Sequence, residues 1–256
     1  MKIVVCIKQV LNSVADVCID NGEISYDEAN LIINPWDEYA IEAALQQKEA
    51  LGGTVTAISI GPDISRRALM DAIAIGADDA ILISDPALKA IDTQSTARVL
   101  ARVIKKLGGV GMAFFGKQTI DIETGLVPAQ TARLLGWPFL SLTAVIKVDG
   151  SSVCVERNIE EGRQIVTATL PTVFSIAKDF GDIRNIPYMR IREASRSKIP
   201  VWSLADLGIL APAAVIAWPK VLNPSVRNVT CKIITGISPN EVAEELADKI
   251  LAKVLL

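Results

Sequence analysis

Between Gly116 and Gly125 the chain runs Gly-Lys-Gln-Thr-Ile-Asp-Ile-Glu-Thr-Gly, directly after the apolar run Val110–Phe115. Hydroxyls at Thr119 and Thr124, the amide of Gln118, the ammonium of Lys117 and the carboxylates of Asp121 and Glu123 are thus concentrated where a buried strand ends. Such a segment is either an ordinary solvated loop or a cradle for something polar. A helical pattern resumes at Val127. Backbone N–H groups at that helix start, with Gly125 permitting close approach, suit a phosphate. Asp121 and Glu123 suit ribose hydroxyls or an adenine amino group as acceptors. Together these groups point to a nucleotide, against the plainer reading of a surface turn.

Several other chemistries are excluded or disfavoured. The sequence has no histidine, which removes the commonest general base and the commonest metal ligand. The cysteines Cys6, Cys18, Cys154 and Cys231 are scattered and form no C-x-x-C pair, so no metal or disulfide framework is expected. There is no G-x-x-x-x-G-K-[ST] and no G-x-G-x-x-G after the first strand, against a P-loop hydrolase and a conventional dinucleotide domain. A formal net charge of −3 without a block of like charges gives no nucleic-acid footprint. Mean hydropathy is high at +0.37, yet no apolar run approaches the ~20 residues of a membrane span. The excess is expected in strands buried on both faces and in a surface covered by another subunit. The first residues return to charge too soon for a signal peptide, and the free thiols suggest the cytoplasm.

The elements that would position the loop follow from punctuation and periodicity. Lys2–Lys8, Thr54–Ile60, Ala80–Ile83 and Val110–Phe115 read as buried strands. Val17–Asp20 and Glu23–Tyr26 are short extended candidates. Asn34-Pro35-Trp36-Asp37 announces a helix, with a capping residue, proline at the first position and an acid at the third; it stops at Gly52-Gly53. Further helices are expected over Arg66–Ile75, from Asp92-Thr93 to Leu107, and up to Leu135. This alternation predicts an α/β fold, a parallel-sheet, Rossmann-like three-layer domain. After Pro138 the pieces Ser141–Lys147, Val153–Asn158, Gln164–Thr169 and Thr172–Ile176 predict antiparallel hairpins extending the sheet, turning at Asp149-Gly150 and Glu161-Gly162. From Phe180 to about Thr230 the pattern is irregular and is expected to wrap a partner. A terminal helix follows Ser238-Pro239-Asn240-Glu241 and runs to about Leu255. In such a sheet, ligands bind beyond the carboxyl ends of the strands, which brings Cys6–Lys8, Ile60-Gly61-Pro62 and Gly116–Val127 together.

The segments "IVVCIKQV", "NPWDEYAIEAAL", "ISIGP", "AIGADDAILISD", "GKQTIDIETG", "LLGWP" and "VERNIEEGRQIVTATLPTVFSI" closely resemble, in order and spacing, the beta subunit of electron-transfer flavoproteins. The resemblance implies a heterodimer whose alpha subunit holds most of a shared FAD, and a beta subunit that binds AMP or, in the flavin-bifurcating branch, a second FAD. It implies nucleotide contacts from Cys6, Asn34, Pro35, Trp36, Asp37, Ile60, Gly116, Lys117, Gln118, Thr119, Ile120, Asp121, Glu123, Thr124, Gly125, Leu126 and Val127. Asp92, Thr93 and Thr96 resemble the D-T-x-x-T of the bifurcating branch, which takes a hydride from NADH and splits the electron pair. Leu126 and Pro128 depart from the Gln and Gly usual in the family. Arg184, Pro187, Tyr188, Met189 and Ile191 resemble the loop, here 180–198, that anchors acyl-CoA or other dehydrogenases. The implied organisation is a nucleotide-binding domain over 1–207 and an arm and helix over 208–256 that pack on the alpha subunit. The implied function is electron carriage, not self-sufficient catalysis. The rival class is a stress-protein-like nucleotide-binding regulatory module.

Overall fold

The computed structural model describes residues 1–15, 18–20, 23–25, 27–89, 91–216 and 231–254. The chain divides into two compact units, Met1–Val221 and Leu222–Leu256.

In the first unit, β1 (Lys2–Cys6) is followed by β2 (Gln9–Leu11), β3 (Cys18–Asp20), β4 (Glu23–Ser25) and β5 (Leu31–Ile33). These four short strands form two antiparallel pairs, β2 with β5 and β3 with β4. Of the expected extended pieces here, Val17 and Tyr26 lie outside the described residues. Helix α1 (Pro35–Leu51) leads to β6 (Thr54–Ile60), α2 (Arg66–Ile75), β7 (Asp79–Ile83), α3 (Thr93–Leu107), β8 (Val110–Gly116) and α4 (Val127–Leu135). Then come β9 (Phe139–Asp149), β10 (Ser152–Ile159), β11 (Gly162–Thr169), β12 (Thr172–Ile176), α5 (Tyr188–Ala194), β13 (Val201–Trp202) and α6 (Leu204–Leu207).

Among the described residues the main sheet has nine strands in the order β11-β10-β9-β12-β8-β1-β6-β7-β13. Pairing is parallel from β9 through β13 and antiparallel only along β9-β10-β11. Helices cover both faces. On one, Ile41, Ala44 and Leu45 of α1 and Leu69 and Ala72 of α2 pack on Ile3, Val5, Val55 and Phe114. On the other, Val99, Val103 and Ile104 of α3 and Leu204 and Leu207 of α6 pack on Val4, Ile58, Ile81 and Ala113. The central strands are therefore apolar at nearly every position, as a doubly covered parallel sheet requires. Phe114 and Phe174 stack at 4.8 Å between ring centroids, locking β8 to β12.

Two sequence expectations are corrected. Thr172–Ile176 is not a hairpin strand: β12 lies between β8 and β9 and runs parallel to both. Its residues are all buried, whereas a hairpin strand at a sheet edge alternates. The stretch after Phe180 is not irregular throughout, since α5, β13 and α6 fall within it and β13 joins the sheet beside β7. Burial of Ile199, Leu204 and Leu207 and a Ser203–Asp206 capping box hold this segment on the domain. Residues 217–230 of that stretch lie outside the described residues.

The second unit contributes α7 (Pro239–Val254). Ser238 Oγ accepts the Glu241 N–H at 3.3 Å, and the Glu241 carboxylate accepts the Ile237 N–H at 3.0 Å. The capping pair of the sequence thus forms with the return bond one residue upstream. Leu255 lies outside the described residues. No helix among the described residues is long and apolar enough to cross a membrane.

Candidate functional site

Strand β1 has β6 on one side and β8 on the other. The chain leaves β1 toward β6 and β7, then returns to place β8 on the opposite side, so the loops following β1 and β8 diverge. That switch in strand order opens a crevice at the carboxyl ends of the strands. A cavity of about 920 Å³ lies there. Cys6, Ile7 and Lys8 beyond β1, Ile60 and Gly61 beyond β6, and Phe115 and Gly116 at the end of β8 form its floor.

The first turn of α1 braces this floor. Asn34 is fully buried and, although it precedes the helix, makes no side-chain cap. Instead its Nδ2 donates to the Gln118 carbonyl at 2.9 Å, and its Oδ1 accepts the Ile120 N–H at 3.2 Å. Asp37 accepts the Lys8 N–H at 2.7 Å on one carboxylate oxygen and the Gly116 N–H at 3.2 Å on the other. One helical turn thereby holds the ends of two strands and the loop between β8 and α4. Burial pushes the Asp37 carboxyl up to about 7, against the opposing pull of these amides, Asn34 and Lys8. Burial, reinforced by the Asp37 charge, holds the Cys6 thiol well above the ordinary range. A thiol kept protonated is a small apolar wall residue, not a nucleophile.

The loop after β8 turns through two residues of positive φ, Glu123 at 57° and Gly125 at 61°. It then enters α4, where Pro128 sits in the first turn and Leu126 makes no side-chain cap. The N–H groups of Val127 and Ala129 have no partner within the helix by geometry, and Leu126 and Gly125 donate to no backbone acceptor among the described residues. Gln118, Thr119, Thr124, Gly125, Leu126 and Val127 all line the cavity with this end of the helix. Unpartnered amides at a helix start can receive a phosphate.

The far wall is formed by Ser84, Asp85 and Pro86 after β7 and by the start of α3, with Asp92, Thr93 and Thr96. The Asp92 carboxylate caps α3 through the Ser95 N–H at 2.7 Å. It also accepts the N–H groups of Val215 at 2.7 Å and Ile216 at 3.0 Å, so the strand-free segment 211–216 is tied to the cavity edge. These donors, that of Ser95 foremost, hold the Asp92 carboxyl well below the usual carboxylate range.

The cavity therefore gathers Cys6, Asp37, Ile60, Asp92, Thr93, Thr96, Gly116, Gln118, Thr119, Thr124, Gly125, Leu126 and Val127 from the residues expected at the site. It does not include Asn34, Pro35, Trp36, Lys117, Ile120, Asp121 or Glu123 among its lining residues. Asn34 and Ile120 form the brace. Trp36 lies under the Lys117 ammonium, 5.4 Å from its ring centroid. Asp121 pairs with Lys8 Nζ at 2.5 Å on the rim. Sequence reasoning missed the β7 end, Ser84, Asp85, Pro86, Leu88, Lys89 and Ile91, although the rule that placed the other loops applies equally to it. It missed Ile216 altogether. Hydroxyls, free amides and a helix start, together with the apolar Ile7, Ile60, Leu88, Leu100 and Ile122, give the cavity donors for an anionic group and apolar surface for a planar ring.

A second group lies on the α1/α2 side. Arg184 turns its guanidinium onto Glu42, at 2.7 Å and 3.0 Å, and onto Glu49 at 2.8 Å. Pro187 precedes α5 as its cap residue. Tyr188, Met189 and Ile191 are exposed at 77%, 59% and 45%, an apolar cluster on a single short helix.

Comparison with known proteins agrees with this architecture. The profile described as "Electron transfer flavoprotein domain" matches residues 24–207. The "Caffeyl-CoA reductase-Etf complex subunit CarD" of Acetobacterium woodii is 33% identical over the whole of both chains. The "Electron transfer flavoprotein subunit beta" of Clostridium acetobutylicum is 35% identical over 82% of this chain and 81% of its own. "Protein FixA" of Azotobacter vinelandii is 32% identical over 99% of this chain and 94% of its own.

Proposed function

The chain belongs to the electron transfer flavoprotein family, among its beta subunits, and from that premise we propose that the cavity takes a second FAD within a heterodimer sharing another FAD with an alpha subunit. The carrying observation is the extent of the cavity. At about 920 Å³ it runs without a break from the first turn of α4 to the first turn of α3, near the top of the ~300–1,000 Å³ range of small-molecule sites. A mononucleotide on the α4 amides would leave the α3 end of the cavity, with Thr93, without a ligand group to meet.

A bound flavin supplies the one- and two-electron chemistry. The chain's own residues bind and orient. The amides of Gly125, Leu126 and Val127 receive phosphate, Thr93 offers its hydroxyl to the second half, Thr96, whose proton goes to the Asp92 carbonyl, offers only oxygen lone pairs, and the Asn34–Asp37 turn keeps β1, β8 and their loops at fixed spacing. Leu126 removes the side-chain amide usual at its position and Pro128 removes a backbone N–H, so phosphate recognition falls on the amides of Gly125, Leu126 and Val127. Full-length similarity to a subunit of a reductase–Etf complex supports work alongside a CoA-ester reductase or dehydrogenase, and a second FAD in the cavity would allow bifurcation with NADH as donor. Electrons pass between a dehydrogenase, acyl-CoA-dependent or other, and a downstream acceptor by way of the alpha subunit, in the cytoplasm. The exposed cluster of Tyr188, Met189 and Ile191 docks the dehydrogenase, as large apolar side chains at interface centres do. The α7 stripe of Leu246, Ile250 and Leu251, exposed at 47%, 51% and 57%, packs on the alpha subunit.

The test is a ligand count. The chain is co-purified with its alpha subunit, the heterodimer is denatured, and FAD and AMP are quantified by chromatography. Two FAD and no AMP per heterodimer are expected. One FAD with one AMP would make the protein a simple carrier.

A further inference from the structure

The α5 helix is seven residues long, too short to hold its own shape in water, yet it presents the exposed Tyr188, Met189 and Ile191. It rests on α2 through Ala194, and the flanking chain holds it at both ends. Upstream, Arg184 meets Glu42 in a two-pronged ion pair, its Nε and Nη2 reaching the two carboxylate oxygens, and extends Nη1 to Glu49. The Arg184 backbone N–H also approaches Glu42 at 3.3 Å, and Gln46 donates to the same carboxylate at 3.0 Å. The Glu42 side chain is only 6% exposed and that of Arg184 29%, so this pair is shielded from solvent far better than an ordinary surface bridge. Downstream, Arg66 of α2 donates to the Ile199 carbonyl at 2.7 Å, and Ile199 is itself buried. Between the two staples only Ala194 of the helix is buried.

We infer that Arg184 is a positioning residue for partner recognition: it does not contact the dehydrogenase but clamps the entry to α5 onto α1 through Glu42 and Glu49, so that Tyr188 and Met189 are presented in one orientation. The inference rests on the docking role proposed above for the α5 cluster. The buried fork explains why the residue is an arginine. A lysine supplies the charge but cannot span both oxygens of Glu42 and reach Glu49 together. Because the first turn of α1, with Asn34 just before it and Asp37 within it, braces the cavity, the clamp also references the docking helix to that same rigid element.

The experiment uses the heterodimer and compares Arg184→Gln, Arg184→Lys and the neutral pair Glu42→Gln/Arg184→Gln, the last avoiding an uncompensated buried carboxylate. Hydrogen–deuterium exchange over 186–199 is read first. Exchange about tenfold faster or more is expected for Arg184→Gln and for the neutral pair, with Arg184→Lys between them and wild type. The second readout is electron transfer from an acyl-CoA dehydrogenase chosen from a panel by its activity with the wild-type heterodimer. KM is expected to rise about tenfold with kcat nearly unchanged, and reduction of a small dye by the same heterodimer, itself first reduced with dithionite, to stay at the wild-type rate. Unchanged exchange in the variants overturns the clamp. Faster exchange with unchanged KM overturns its role in recognition. Tyr188→Ala separates the underlying reading: an unaltered KM in that variant refutes docking by α5 itself, whatever Arg184 does.

Discussion

Gly116 and Asp37 meet where no side chain fits between β8 and α1. The Gly116 N–H donates to Asp37 Oδ1 at 3.2 Å, and a Cβ built on Gly116 would stand 2.4 Å from that same oxygen and 2.7 Å from the Trp36 carbonyl carbon. The end of β8 can therefore meet the first turn of α1 only through a residue without a side chain. Gly116→Ala is expected to cost about 1–3 kcal/mol through backbone displacement, read as a lowered urea midpoint, and to weaken nucleotide retention in parallel.

Asp37 makes stability depend on pH. Its folded pKa of about 7 lies above the ordinary 3.8, so between these values the folded chain holds a proton that the unfolded chain has released. Stability is fully supported below about pH 4 by this group and declines as pH rises toward 7, by at most about 4 kcal/mol. Urea unfolding at pH 5 and pH 7.5 should show the decline. Asp37→Asn should be less stable overall, because it offers one acceptor where two amides need one each, and should flatten the pH dependence across that window.

Lys8 and Asp121 join the end of β1 to the loop after β8 at the cavity rim, with side chains 38% and 34% exposed. An ion pair this open contributes about 0–1 kcal/mol to folding. Asp121→Asn should leave the melting temperature nearly unchanged while speeding nucleotide dissociation a few-fold. The difference between variant and wild type should shrink in ~0.5 M salt, where the Debye length falls to a few ångströms.

Asp92 carries two duties, capping α3 and holding the amides of Val215 and Ile216. Asp92→Ala should cost about 1–2 kcal/mol from the lost cap. It should also open the segment 211–216 to limited proteolysis, a change that an equally destabilising core variant such as Val99→Ala should not reproduce at that site.

Much of this arrangement was legible before the fold was known, and the reasons are local. Runs such as Thr54–Ile60 and Val110–Phe115 are apolar on both faces, which only a doubly covered strand tolerates. Asn34-Pro35 and Gly136 mark helix ends by backbone chemistry alone. The rule for ligand position then brought Cys6, Ile60 and much of Gly116–Val127 around one crevice. Pairing order was not legible: nothing in the composition of Thr172–Ile176 says that it enters between β8 and β9. Nor were β13 and α6, of two and four residues, since elements that short owe their existence to burial of Ile199, Leu204 and Leu207. The same limit applies within the site. Asn34 and Asp37 are polar residues at a helix start, and only the adjacency of β1 and β8 turns them into a brace. The pairing of Asp121 with Lys8 was not legible either, because the two are distant in sequence.

The central claim is that one continuous cavity, reaching to the start of α3, holds a dinucleotide. Thr96 lines the far end of that cavity, and Thr96→Phe should fill it without touching the α4 amides. Equilibrium dialysis of FAD and AMP into the ligand-stripped heterodimer, wild type against this variant, tests the claim most directly. The account expects FAD stoichiometry to fall from two to one in the variant while AMP still binds at the α4 end. Two FAD bound undiminished in Thr96→Phe would contradict it.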